Sequence, residues 1–272
     1  MSSAIERAAE AICDAKHLLI TAGAGMGVDS GLPDFRGNAG FWKAYPPFAA
    51  LGLSFAEVAN PAWFRRDPHL AWGFYGHRLN LYRATTPHSG FDILKRWAGD
   101  KPAWVYTSNV DGQFQKAGFS DVCEVHGSIG HFQCTRPCRK VVWDEPPAPI
   151  DVDERSFRAR GELPRCPHCD ALARPNILMF SDGAWVSTRS STQENSLLAW
   201  SNARDTRRMV VIEMGAGTAI PTVRDCSENF QYQGATLVRI NPRESDGPDG
   251  TLSLPLGARE ALERIDAVLR GN

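Results

Sequence analysis

The chain has 272 residues, of which 43% are apolar and 22% charged, a composition that excludes wholesale disorder. Thirty basic residues against 31 acidic ones leave a net charge of −1, so bulk charge gives no reason to expect direct binding to nucleic acid or to a membrane. Residues 1–16 lack the basic start and apolar centre of a secretion signal, and no apolar run reaches the ~18 residues of a transmembrane helix. We therefore expect a soluble, cytoplasmic protein.

Apolar strands alternate with helices along much of the chain. Residues 3–16 place Ile5, Ala8, Ala9 and Ile12 on one helical face. Helical periodicity recurs at 89–98 and 258–269. Short apolar segments that end in glycine or polar turns predict buried strands at 17–22, 103–107, 209–214 and 236–240. This alternation predicts a parallel sheet covered on both faces, with ligands bound beyond the carboxyl ends of its strands.

Two segments interrupt this pattern. Residues 38–88 are rich in aromatic residues and proline and predict an irregular helical insertion. Residues 129–178 are rich in proline and contain four of the seven cysteines, in two close pairs.

The paired cysteines indicate a metal site. An odd number of cysteines in a chain without an export signal argues against a disulfide framework. Cys134-x3-Cys138 and Cys166-x2-Cys169 bring four thiolates within reach of one tetrahedral zinc ion, and a shell filled by protein ligands predicts a structural role. The alternative is four unrelated buried cysteines.

A glycine-rich turn follows the first predicted strand. Gly23-Ala24-Gly25-Met26-Gly27 would let main-chain amides approach a phosphate group, although a tight turn without a ligand would have the same composition. The segment that follows, Gly31-Leu32-Pro33-Asp34-Phe35-Arg36-Gly37, places an acid, an aromatic ring and an arginine beside that turn.

Together these segments resemble the sirtuin signature Gly-Ala-Gly-x-Ser-x-x-Ser-Gly-Ile-Pro-Asp-Phe-Arg. Other sirtuin blocks follow in order and extend the resemblance over about residues 15–265. They are Thr107-Ser108-Asn109-Val110-Asp111-Gly112, Val125-His126-Gly127-Ser128, the cysteine pairs, Arg174-Pro175-Asn176-Ile177-Leu178-Met179-Phe180, Gly215-Ala216-Gly217 and Ile240-Asn241-Pro242.

The resemblance implies an α/β fold in which a Rossmann-like parallel-sheet domain binds NAD and a smaller domain has a helical and a zinc-binding part. The large domain would comprise 1–37, 89–128 and 179–272, and the two small parts 38–88 and 129–178. The implied cofactor-binding residues are Gly23, Ala24, Gly25, Asp34, Phe35, Arg36, Ser108, Asn109, Asp111, Gly215, Gly217 and Asn241.

The resemblance also implies an NAD-dependent protein lysine deacylase, a deacetylase or a desuccinylase and demalonylase, that releases nicotinamide and O-acyl-ADP-ribose. Its partner would be an acylated lysine in a protein or peptide. His126 would be the general base that deprotonates a ribose hydroxyl, a role that a neutral imidazole can fill at physiological pH. Asn109 and Asp111 would hold the nicotinamide and its ribose, with Asp111 contacting the carboxamide.

Substrate specificity is expected at two further places. Tyr75 and Arg78 lie three residues apart on a predicted helix and could bind one carboxylate, which matches the pair that contacts acidic acyl chains in desuccinylating sirtuins. Ordinary packing on a helix surface is the alternative. Phe180 and Ser181 stand where the family clamps the substrate main chain, and an extended peptide could still pair there.

Several residues differ from the family pattern. Ser108 replaces a glutamine, Gly27 a serine or threonine, Gly215-Ala216-Gly217-Thr218 a Gly-Thr-Ser-Leu, and Phe180-Ser181-Asp182 a Phe-Gly-Glu. These differences leave two alternatives open. One is ADP-ribosyl transfer or NAD glycohydrolysis, and the other is a weakly catalytic NAD or ADP-ribose sensor.

Overall fold

The structure, a computed structural model, describes residues 3–33, 37–99, 101–144, 148–153 and 155–271. Its central sheet contains β1 (His17–Ala22), β2 (Ala103–Thr107), β3 (Val122–Glu124), β9 (Met209–Met214), β10 (Thr236–Ile240) and β11 (Leu252–Leu254). These strands are parallel and lie in the order β11-β10-β9-β1-β2-β3. The four predicted strands are confirmed at the expected residues, whereas β3 and β11, of three residues each, were not predicted.

Helices cover both faces of this sheet. On one side lie α1 (Ala4–Asp14), α7 (Ser89–Trp97) and α11 (Ala258–Gly271), and on the other α9 (Thr188–Asn202) and α10 (Thr222–Tyr232). Within β1, Leu18 and Ile20 face the first group, and Leu19 faces the second. A strand buried on both faces needs a continuous apolar run, which is why β1 and β9 carry few charges. The predicted α/β class with a parallel sheet is confirmed.

Short helices form the segment between β1 and α7. A 3₁₀ helix (Ala24–Ser30) follows β1, and then come α2 (Gly37–Ala44), α3 (Pro46–Ala50), α4 (Phe55–Val58), α5 (Trp63–Arg66) and the longer α6 (Pro68–Ala84). A further short helix, α8 (Gln113–Lys116), follows β2. No helix in the described ranges combines the length and apolar character needed to cross a bilayer.

The cysteine-containing segment is built on antiparallel pairs. β4 (Gly127–Cys134) lies between β5 (Trp143–Asp144) and β8 (Ala173–Ile177), and β6 (Val152–Asp153) pairs with β7 (Arg158–Ala159). This segment shares one core with the helical segment. The Trp72 ring lies 5.1 Å from that of Phe132, and its indole nitrogen donates to Ala173 O at 3.0 Å. The boundary expected after residue 128 falls inside β4.

Candidate active site

A cavity of about 750 Å³ opens where the carboxyl ends of the central strands face the helical segment and the chain that follows β8. It brings together most of the residues singled out from the sequence. Those that line it are Gly23, Ala24, Tyr75, Arg78, Ser108, Asn109, Asp111, His126, Phe180, Gly215 and Gly217. Gly25, Ser181 and Asn241 are not among the lining residues. Asp34, Phe35 and Arg36 lie outside the described residues.

One end of the cavity is formed by two main-chain turns, one after β1 and one after the neighbouring β9. The Gly25 amide donates to Gly215 O at 3.1 Å, and the Gly23 amide donates to Met214 O at 2.9 Å. Gly215 has a φ of +60°, and a Cβ there would lie 2.4 Å from the Gly25 Cα. A main chain packed this closely can present amides to a phosphate group, so this end fits the diphosphate of a dinucleotide.

The wall next to these turns is held from behind by Asn241. This side chain is wholly buried. Its Nδ2 donates to Ala216 O at 2.8 Å, and its Oδ1 accepts from the amides of Arg243 and Glu244, each at 3.1 Å. Asn241 therefore supports this wall of the cavity, and its expected contact with the adenosine half of NAD stays a prediction.

Arg243 and Glu244 also line the cavity, although the sequence did not predict them as site residues. Their position just after β10, a parallel strand that ends beside the cavity, is the signal that could have found them. The Thr218 hydroxyl donates to Glu244 Oε1 at 2.5 Å.

Asn109 connects the glycine turn to the centre of the cavity. The Thr107 hydroxyl donates to Ala22 O at 2.8 Å and accepts from the Asn109 amide at 3.0 Å. The Asn109 Nδ2 then donates to Gly23 O at 2.9 Å. Strands β1 and β2 are thus tied together at their carboxyl ends, and the Asn109 amide group has a fixed orientation.

Asp111 is a half-buried residue whose carboxyl group lines the middle of the cavity. Its Oδ1 accepts from the Gln113 amide at 3.0 Å. Burial, reinforced by the negative charge of Glu124, raises the pKa of Asp111 to about 6, while the Gln113 amide and the positive charge of Arg78 oppose that rise. This carboxyl therefore changes its charge close to neutral pH.

His126 lies between the end of β3 and the start of β4. Its carbonyl accepts from the Leu178 amide at 2.9 Å. Gly127 has a φ of +79°, and a Cβ there would lie 2.0 Å from Asn176 O, so the residue after His126 has to be glycine. Burial lowers the pKa of His126 from its ordinary value, because the charged imidazolium is poorly solvated there. The neutral ring is the form that can accept a proton.

The opposite end of the cavity is made of buried side chains from α6. Arg78 donates from Nε and Nη2 to the Tyr82 hydroxyl at 3.0 and 2.8 Å. Its guanidinium carbon lies 5.2 Å from the centre of the Phe74 ring. The Tyr75 hydroxyl is buried and has no hydrogen-bond partner among the described residues. Sequence reasoning missed Tyr82, although its spacing of four residues from Arg78 places both on one helix face.

The chain after β8 forms the rim of the cavity. The Phe180 amide donates to Ala59 O at 2.9 Å, and the Phe180 ring packs edge-on against Phe55 at 6.1 Å. Behind this rim, Asp182 accepts from Arg174 Nη1 and Nη2 at 2.6 and 2.9 Å, and both side chains are at most 1% exposed. Ser181 adopts a left-handed conformation with a φ of +57°.

The four paired cysteines lie together, apart from this cavity. Their Sγ atoms are within 4.8 Å of one another, with 3.7 Å between Cys134 and Cys169 and between Cys138 and Cys166. Zinc–sulfur bonds of about 2.3 Å in a tetrahedron require sulfur atoms roughly 3.8 Å apart. The residues therefore fit a zinc ion held by protein ligands alone, which is a structural site.

The chain is similar to known proteins over nearly its whole length. Residues 23–198 match the model of the Sir2 family. An NAD-dependent protein deacylase of Aeropyrum pernix is 28% identical over 270 residues, covering 98% of both chains. One of Thermococcus kodakarensis is 33% identical over 241 residues, 88% of this chain and 84% of the relative.

Two solved structures have the same fold. A Sir2 homologue mutant in complex with ADP-ribose superposes with a TM-score of 0.76 at 25% identity, covering 98% of this chain and 96% of the other. A Sir2 homologue in complex with NAD superposes with a TM-score of 0.75 at 24% identity, covering 98% and 94%.

Proposed function

The chain belongs to the Sir2 family, and from that premise we propose that it is an NAD-dependent protein lysine deacylase in which His126 is the general base. One observation carries the proposal. A single cavity joins the two glycine turns, which fit a diphosphate, to Asn109, Asp111 and His126. NAD, when bound, supplies a ribose carbon that becomes open to attack as nicotinamide leaves.

The residues of this chain have separate tasks in that reaction. Asn109 and Asp111 orient the nicotinamide end, and the buried neutral imidazole of His126 accepts a proton from a ribose hydroxyl. The Phe180 rim holds the extended main chain of the substrate, and Arg174 keeps that rim in place through Asp182. Because the electrophile comes from the cofactor, the protein needs no nucleophilic side chain; besides the proton transfer to His126, it positions groups and excludes water.

Replacing His126 tests the catalytic assignment. His126→Ala is expected to lower turnover of an acylated peptide by about 10²–10⁴-fold, the usual contribution of a positioned acid or base. NAD binding, measured by calorimetry, should remain. His69→Ala is the control, since His69 bonds to Ala159 O and does not line the cavity. Unchanged turnover in the His126 variant would remove this residue from the mechanism.

Mass spectrometry of the products tests the activity itself. O-acyl-ADP-ribose formed only in the presence of an acylated peptide is the expected result. Free ADP-ribose formed without peptide would instead indicate NAD glycohydrolysis, and ADP-ribosylated protein would indicate transfer. Tight NAD binding without any product would leave a sensor function.

We further propose that the acyl chain carries a carboxylate, as succinyl and malonyl groups do. The buried Tyr75 hydroxyl, which has no partner among the described residues, and the Arg78 guanidinium both line the inner end of the cavity. A hydroxyl and a guanidinium side by side suit a carboxylate, since both donate to its oxygens. An acetyl group would leave the Tyr75 hydroxyl without an acceptor.

Arg78→Met tests the choice of acyl group. Loss of a charge-assisted hydrogen bond, worth about 1.5–3 kcal/mol, is expected to lower kcat/KM for succinyl-lysine by roughly 10- to 100-fold and to change that for acetyl-lysine much less. Arg83→Met on the same helix is the control, because Arg83 does not line this cavity. Equal losses for the two acyl groups would reject the carboxylate role.

A further inference from the structure

Side chains from α9 take the place of a missing neighbour strand beside His126. β3 is the outermost strand of the sheet, and on its inner side the Val125 amide donates to Thr107 O at 3.0 Å. On its outer side the Glu124 amide donates to Gln193 Oε1 at 3.1 Å, and the Glu124 carbonyl accepts from the Ser190 hydroxyl at 2.8 Å. Both main-chain groups of Glu124 are therefore fixed by α9.

The same helix also binds the side chain of Glu124. Arg189 Nη2 lies 2.6 Å from Glu124 Oε2, and the carboxylate side chain is 1% exposed. Burial raises the pKa of Glu124, and the charge and hydrogen bond of Arg189 oppose that rise only in part. Burying two ions is unfavourable even when they are paired, so stability alone does not explain the Glu124–Arg189 pair, which points to a functional role.

Glu124 lies next to both polar groups of the central cavity. His126 follows it by two residues, so a shift at the end of β3 moves the imidazole directly. The negative charge of Glu124 acts on Asp111, and Ser128, four residues after Glu124, lines a second cavity of about 270 Å³ together with Asp111. The other charged or titratable groups that act on Asp111 are Arg78 and Tyr82 from α6.

We propose that Glu124, held on three sides by α9, is a positioning residue that fixes His126 and keeps a second negative charge beside the Asp111 carboxyl. The effects that this proposal predicts on turnover rest on the proposed deacylase function. The side chains of Gln193 and Ser190 hold the main chain of Glu124, and Arg189 holds its carboxylate. None of these four residues is among those that line the cavity.

The main-chain part is tested with Gln193→Ala. Turnover with saturating NAD and acylated peptide should fall at least about 10-fold, because a displacement of about 1 Å at a reacting group can cost 10²-fold. The KM for NAD and the thermal unfolding temperature should stay close to wild type. Arg204→Met is the matched control, since Arg204 packs on Trp200 at the other end of α9. A turnover loss in Gln193→Ala no larger than in the control would overturn this part.

The electrostatic part is tested with Glu124→Gln, which keeps an oxygen for Arg189 but removes the charge. The Asp111 carboxyl, followed by ¹³C NMR in protein labelled at aspartate, should then titrate at lower pH than in wild type. The acid limb of kcat/KM for NAD should move in the same direction. An unchanged Asp111 midpoint would overturn the proposal, as would an upward shift.

The NMR titration needs no turnover, so it separates the two proposals. A protein that binds NAD but deacylates nothing would refute the proposed function while the Asp111 titration still decides the role of Glu124. If Glu124→Gln does not fold, Glu124→Met, which also removes the charge, is titrated instead. Its Asp111 midpoint should again lie below that of the wild type; an unchanged or raised midpoint would overturn the proposal.

Discussion

The two ends of the cavity are built from different parts of the polypeptide. The cofactor end consists of main chain, with the Gly23 and Gly215 turns in backbone-to-backbone contact. The acyl end consists of buried side chains from α6, with Tyr75 and Tyr82 around the Arg78 guanidinium. The first end has no room for a Cβ at Gly23 or Gly215. At the second end, by contrast, recognition of the acyl group would depend on the polar atoms of individual side chains.

Gly215→Ala gives the largest expected effect on the main-chain end. A Cβ at Gly215 would lie 2.4 Å from the Gly25 Cα and would sit on a residue with positive φ, so the two turns must separate. We expect a loss of ~2 kcal/mol or more in the free energy of unfolding. NAD binding should weaken by more than about 10-fold, which corresponds to 1.4 kcal/mol. Chemical denaturation and calorimetry measure the two quantities.

Gly217→Ala is the matched control for that substitution. A Cβ at Gly217 would meet nothing nearer than Glu244 Oε2 at 3.5 Å, an ordinary contact. This variant should fold and bind NAD nearly as well as the wild type. If both alanine variants bind NAD normally, the cofactor end is not built on close main-chain packing.

Asp111, between the two ends of the cavity, provides a smaller effect that depends on pH. Since burial raises the pKa of Asp111 to about 6, its carboxyl is ionised at pH 7 and becomes protonated as the pH falls below 6. The protonated group no longer offers a charged acceptor to the nicotinamide carboxamide. We therefore expect kcat/KM for NAD to halve near pH 6 and to fall by up to ~10-fold for each further pH unit.

Two measurements sharpen this expectation. In Asp111→Asn the carboxyl cannot titrate, so any acid limb that remains belongs to His126, whose pKa is lowered by burial. A wild-type kcat/KM for NAD that stays constant from pH 7 to pH 5 would contradict the role given to Asp111. Binding of an acylated peptide alone serves as the control, because it does not require the nicotinamide contact.

The sheet could be read from the sequence because its signal is local. The segments 17–22, 103–107, 209–214 and 236–240 are mostly apolar, as burial on both faces requires. The cysteine pairs were equally readable, since metal ligands keep short spacings. β3 and β11, by contrast, are too short to show a pattern and form only by pairing with neighbours distant in sequence.

The polar network of the site could not be read in this way. Glu124 meets Arg189 across 65 residues, and Gln113 Nε2 reaches Tyr82 O across 31 residues. No spacing rule connects residues so far apart, because only the folded sheet brings them together. Tyr82 lies within one helix turn of Arg78, and what the sequence did not show is that both side chains point into a cavity rather than to solvent.

Ser181 gives the smallest expected effect and tests the rim between the two ends. Its φ of +57° is unfavourable for a residue with a Cβ, whereas the family commonly has glycine at this position. A left-handed residue other than glycine destabilises the folded state by roughly 1–2 kcal/mol. Replacing it with glycine removes this strain, but the greater chain entropy of glycine in the unfolded state offsets about 0.5–1 kcal/mol of the gain. Ser181→Gly should therefore stabilise the protein by ~0.5 kcal/mol in urea unfolding.

The same replacement at Ser187 is the control for Ser181→Gly. Ser187 precedes α9 with a φ of −84° and makes no capping hydrogen bond through its side chain, so glycine there adds chain entropy without relieving strain. Ser187→Gly should lower stability slightly. A loss of stability in Ser181→Gly as large as in Ser187→Gly would show that the left-handed rim is not strained. In that case the serine would have to stabilise the rim through a contact that glycine cannot make.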